Sequence, residues 1–142
     1  MASNGNIFRT AIAGLFKAVR SALVRQGVNV GGTAAYPRVE LHSFVENSPA
    51  DKEGRLRSID LVVECISDKA VGETVDMLEQ NIVALLSENG IGVQGFELVG
   101  IVPGQSRLLD EQEVNDQNRV IYRIIQNLTV WLQPAAQEPE EE

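Results

Sequence analysis

A chain of 142 residues favours one domain with a core of useful size. Its 44% apolar and 23% charged content excludes a disordered chain. No apolar run approaches the ~20 residues of a membrane span. Arg9, Lys17 and Arg20 interrupt the short IAGLF patch too soon for a signal peptide, so an intracellular, soluble product is expected. One cysteine, Cys65, excludes an internal disulfide framework and, on its own, a Cys-rich metal site. Residues 1–39 carry five cations and no acid, so with a net charge of −8 the remainder carries −13. That polarity argues against sequence-reading of DNA, which needs a basic surface. It suits head-to-tail contact between copies.

Residues 1–6 read as a frayed end, 7–133 as one domain, and QEPEEE within 134–142 as a solvated acidic tail. From Ile7 to Gln26, Phe8, Ile12, Leu15, Phe16, Val19 and Leu23 follow helical spacing, and Gly27 is a good stop. GVNVGGTAAYP reads as loop. A first strand is expected from Arg38 to Glu46, with Val39, Leu41 and Val45 inward and Arg38, Glu40, His42 and Glu46 outward. A second, from Arg57 to Ser67, turns Ile59, Leu61, Val63 and Cys65 inward. Between them the polar NSPADKEGR reads as a projecting hairpin loop. Ser67 or Asp68 can cap a second helix, Val71 to Glu88, whose stripe is Val71, Val75, Leu78, Ile82 and Leu85. A short third strand, Phe96 to Val102, is closed by Pro103-Gly104. QSRLLDEQEVNDQN is then a polar connection to a fourth strand, Val120 to Leu132. The expected fold is α+β, in the order α-β-β-α-β-β: a four-stranded antiparallel sheet with both helices on one face.

Catalytic chemistry is hard to place. His42 is alone on a polar strand face, with Glu40 and Glu46 its nearest acids in sequence. Cys65 lies on the opposite, apolar face, which disfavours a Cys–His dyad. Asp60 and Glu64 stand about 13 Å apart along one strand face, too far to share a metal ion. The glycine pairs lack the context of a phosphate loop. No enzyme, cofactor or metal is expected. At 5%, aromatics are too few for base-stacking platforms.

The fourth strand is unusual. Thirteen residues span roughly 43 Å, beyond the usual strand length. Val120, Tyr122, Ile124, Gln126, Leu128, Val130 and Leu132 face the helices. The other face carries Ile121, Arg123, Ile125, Asn127, Thr129 and Trp131, too apolar for solvent alone. Exposed apolar surface of this kind marks an interface. Arg119, Ile121, Arg123, Ile125 and Trp131 are therefore the candidate subunit interface.

The order of YPRVEL, a polar projecting loop, RSIDLVVEC, the helix AVGETVDMLEQNIVALLSENG and a closing VIYRIIQNLTVWL resembles the tail-terminator (tail-completion) proteins of long-tailed bacteriophages. The resemblance covers most of 7–133 and is one of pattern and order, without a signature motif. It implies a small α+β subunit assembling with itself as a ring, commonly of six. Such a ring caps the tail tube, stops its polymerisation and docks on the head connector. DNA passes through the lumen unread, and no membrane is involved. Implied partners are the tail-tube and head-connector proteins, in a virion assembled in the host cytoplasm. The loop residues Asn47, Asp51, Lys52, Glu53, Arg55 and Arg57 become candidates for contacting the next ring. The acidic tail is not part of the family's pattern. A head-closure or neck ring fits the same features. A small regulatory or ligand-binding α+β domain, dimeric through the fourth strand, is the alternative from another class.

Overall fold

The computed structural model describes residues 4–47, 56–86, 91–109, 113–114 and 120–135. Its elements are α1 (Asn4–Arg25), β1 (Asn29–Val30), β2 (Arg38–Glu46), β3 (Arg57–Ser67), α2 (Val71–Leu86), β4 (Phe96–Leu108), β5 (Glu113–Val114) and β6 (Val120–Pro134). The sheet runs β1-β2-β3-β6-β4, with β5 also paired to β6. The expected four-stranded antiparallel sheet is therefore incorrect. Five strands line up, and β1 pairs with β2 in parallel.

The extra strand arises from how α1 ends. Gly27, at φ 81°, donates to Val24 O, and Val28 donates to Leu23 O. These two bonds satisfy the last helical carbonyls and turn the chain back under the helix. Asn29 and Val30 then lie beside Arg38 and Val39. Gly31 N donates to Val39 O, and the Asn29 side-chain amide ties down Ala35 O and Pro37 O. Two residues carry no readable alternation, so the backbone shows what the pattern could not.

The third strand also differs from expectation. It continues through Pro103-Gly104 to Leu108, paired with β6 from Phe96↔Pro134 to Leu108↔Ile124. Register shifts after Leu98 and after Pro103 absorb the irregularity. A proline without an N–H is tolerable there because β4 is an edge strand. On β6, buried Gln126 donates to Gly104 O at 3.0 Å and bonds the Ser106 hydroxyl, which holds the far half of β4 in place. The expected connection thus contains the end of β4 and all of β5.

Both helices pack on the same face of the sheet. Leu15, Val19 and Leu23 of α1 and Leu78 and Leu85 of α2 share one cluster with Val39, Ile59, Leu61, Val63, Cys65, Leu128, Val130 and Leu132. The buried stripe of α2 is Thr74, Leu78, Asn81 and Leu85, not one that begins at Val71, which is exposed. Thr74 can be buried because its hydroxyl donates to Val71 O. Ser67 accepts from the amides of Lys69 and Ala70 in the turn before α2, and its hydroxyl donates to Glu73 in the first turn of the helix, so the expected cap acts through Glu73 rather than on the helix amides.

In β2 the alternation breaks between His42 and Val45, where Ser43 takes φ 60°. The bulge reverses the later side chains. Phe44 reaches the core and meets Phe16 edge-on at 5.4 Å. Val45 is exposed, opposite to its expected direction, and Glu46 turns to the helix side.

Cys65 is fully buried, with the Asn81 amide 3.8 Å from its sulfur. Burial pushes the thiol from 9.0 up to about 12. Because the folded state holds this proton more tightly, its contribution to stability is complete below pH 9 and is lost as the pH rises towards 12. In the native protein Cys65 is expected to resist a thiol reagent at pH 8 and to react at once in guanidinium. Rapid native labelling would contradict its burial.

Candidate functional site

The face of the sheet away from the helices holds most of the described candidate residues. Directly opposed residues share a face, so the register alone assembles it in rows. Arg38, Ile66 and Arg123 form one row, and Glu40, Glu64 and Ile125 the next. His42, Val62 and Asn127 follow, then Val45, Asp60 and Thr129, then Ser58 and Trp131.

One row sets two carboxylates, Glu40 and Glu64, directly across from each other. Like charges in that position are destabilising. Cations from neighbouring rows neutralise both. Arg38 Nε lies 3.1 Å from Glu40, and Arg123 lies 3.0 Å from Glu64. His42 Nε2 approaches Glu64 at 3.4 Å, while its Nδ1 meets the Ser43 hydroxyl. Arg38 also stacks over the Tyr36 ring and donates to Ala34 O. The sequence neighbours of His42 thus give way to a partner one strand across, which linear spacing does not reveal.

Lower on the face, Asp60 accepts from the Thr129 hydroxyl at 2.6 Å and from the Asn47 amide at 3.1 Å. Ser43 and Gly104-Gln105, at irregularities in β2 and β4, border a groove floored by Asp60, Val62, Asn127 and Thr129.

Of the candidate interface residues, Ile121 is buried within the chain, opposite Glu113. Arg123 is held by Glu64. Ile125 and Trp131 are half-buried on the open face, Trp131 between Ser58 and Gly100. Arg119 lies outside the described residues, as do Asp51, Lys52, Glu53 and Arg55 of the loop.

The two described ends of that loop are fixed to the sheet. Asn47 exchanges bonds with Ser58 and Asp60. Arg57 is buried with Glu46 at 3.2 Å and lies over the Phe96 ring. Burial, outweighing the adjacent guanidinium, pushes the Glu46 carboxyl above its ordinary value. Sequence alternation pointed Glu46 at solvent; the bulge at Ser43 brings it to Arg57.

Three exposed apolar side chains on the edge strand, Val99, Val102 and Leu108, escaped the sequence reading. Val99 and Val102 sit in the expected third strand, and Leu108 where a connection was expected. Among the described residues no group of three His, Cys, Asp or Glu side chains is placed to hold a metal ion.

No family model matches this chain, and no curated protein does. Among solved structures, a chain of the "Virion of native gene transfer agent (GTA) particle" is similar, with a TM-score of 0.62. The match covers 87% of this chain and 98% of that one at 20% identity. At that identity the likeness is one of fold.

Breaking the buried Arg57–Glu46 pair strands a charge, which costs ~3–5 kcal/mol. Arg57→Ala is expected to lose about that much in urea unfolding, whereas Arg57→Met with Glu46→Leu loses far less. Equal losses would show that the pair itself is not what matters.

Proposed function

We propose that this chain is a structural subunit of a phage-like virion, and that it is the tail terminator. A ring of copies ends polymerisation of the tail tube and joins the tail to the head connector. The observation that carries this reading is the shared fold with a chain of the gene transfer agent virion over nearly the whole of both chains. The resemblance in sequence pattern, from YPRVEL to VIYRIIQNLTVWL, supports it as well. The uneven charge, basic over residues 1–39 and acidic beyond, suits heterologous contacts that join two different patches of one subunit. A head-closure or neck ring remains the second reading within the class, because nothing in the fold separates the two.

On this reading the outer face of the sheet contributes to assembly through Ile125 and Trp131. Four of its charged residues, Arg38, Glu40, Glu64 and Arg123, are already paired within the chain. The overall acidity suits a lumen through which DNA passes without being held.

The test combines mass in solution, negative-stain images and tube polymerisation with the cognate tube protein. Rings of several copies that stop tube growth are expected, and Trp131→Ala is expected to lower ring yield while leaving the far-UV spectrum unchanged. Tubes that grow past an excess of this protein, with no ring in the images, would contradict the proposal.

A further inference from the structure

Both helices bury one face in the same core, so their opposite faces point away from the sheet on the same side of the molecule. On α1 that outward stripe is Ala13, Lys17, Arg20 and Val24, in steps of four, three and four. On α2 it is Gly72, Asp76, Glu79 and Val83, in the same steps, followed by Leu86. Val24, Val83 and Leu86 are exposed by 50%, 70% and 42%. Such side chains standing singly on a surface would be ordinary. Here they continue the charged stripes along one helical face.

None of Lys17, Arg20, Asp76 and Glu79 forms an ion pair with another described residue. That separates them from Arg38, Glu40, Glu64 and Arg123 on the outer face of the sheet, which are paired within the chain. One helix thus presents two unengaged cations, and its neighbour two unengaged anions at the same spacing.

The topology sets how the stripes can meet. α1 reverses into β1, which is parallel to β2. α2 is entered by a reversal from β3, which is antiparallel to β2. The two helices therefore run in opposite directions. Because the four-three-four spacing reads the same both ways, an antiparallel approach keeps every position in register. Lys17 then meets Glu79, and Arg20 meets Asp76. Val24 falls on Gly72 and Val83 on Ala13, so each bulky side chain faces a small one. Within one chain the two stripes point the same way and cannot face each other.

We infer that the outward stripe of α1 docks on the outward stripe of α2 in a second copy of this chain. Both stripes lie on one side of the molecule, so one such contact brings the reciprocal contact together, and the pair closes about a two-fold axis. The occupant is a second copy because the chain itself supplies both the basic and the acidic half at matching spacing. This contact is separate from the ring: it uses the helix layer, whereas a ring needs two different patches.

The test is charge reversal, read by sedimentation equilibrium. Lys17→Glu with Arg20→Glu makes α1 acidic, and Asp76→Lys with Glu79→Lys makes α2 basic. Each double variant is expected to self-associate about tenfold or more weakly than the parent. An equimolar mixture of the two is expected to recover the parent's affinity, since both contacts are then complementary in the mixed pair. Should a variant fail to fold, chains carrying Lys17→Cys and Glu79→Cys, mixed and oxidised, are expected to form a mixed disulfide pair, with buried Cys65 taking no part. A parent chain that stays monomeric at millimolar concentration, reversals that change nothing, or a mixture that fails to recover would each overturn the inference. A chain carrying all four reversals is complementary to itself again and is expected to recover the parent's self-association; its failure to do so would overturn the inference, whatever happens to ring formation.

Discussion

Eleven consecutive residue pairs, from Arg57↔Leu132 to Ser67↔Tyr122, join β3 to β6 without a register shift. Each other long pairing in the sheet is interrupted, β2 with β3 after His42 and β4 with β6 at two points. The uninterrupted ladder fixes which residues face the helices. Since side chains alternate strictly, a slip of one residue would exchange the whole of Ile59, Leu61, Val63 and Cys65 for Ser58, Asp60, Val62 and Glu64. Burial of the first set is what pins the ladder, and the ladder in turn determines what the outer face can be.

That outer face is where the physical chemistry is least like an ordinary exposed sheet. Glu64 lies across from Glu40, so the pairing demands cations nearby, and Arg38 and Arg123 supply them from the flanking rows, while His42 approaches Glu64 as a further polar partner. Asp60 is satisfied by Thr129 and Asn47. The ion pairs on this face hold the sheet together, and Val45, Val102, Ile125 and Trp131 have apolar surface left for a neighbour. The helix layer is the reverse: its core face is complete, while its outward charges have no partner among the described residues. On the proposed function, assembly draws on surfaces of both kinds, one held rigid by the sheet, the other charged and sensitive to salt.

Much of this could be read before the fold was known, where pattern is long enough to carry a period. The alternation of β3 and β6 and the end of α1 at Gly27 rest on local chemistry. The failures are equally local. Asn29 and Val30 are too few to show alternation. Pro103 signals the end of a strand anywhere except an edge. Ser43, an unexceptional residue in sequence, adopts a left-handed conformation and reverses Phe44, Val45 and Glu46. Asn81, outside the expected apolar stripe of α2, is buried beside Cys65. For the outer face, composition identified the residues on β6, but the partners of Arg123 and Glu46 depend on strand order and on one bulge.

Hydrogen exchange under native conditions tests the central place of the β3–β6 ladder most directly. Amides in the most stable unit exchange only through global unfolding, while edge segments open locally. The slowest-exchanging amides are expected in 59–66 of β3 and 123–131 of β6, with those of 102–108 in β4 exchanging far faster. Slowest exchange in α1 or along β4, with β3 and β6 opening independently of each other, would contradict the account.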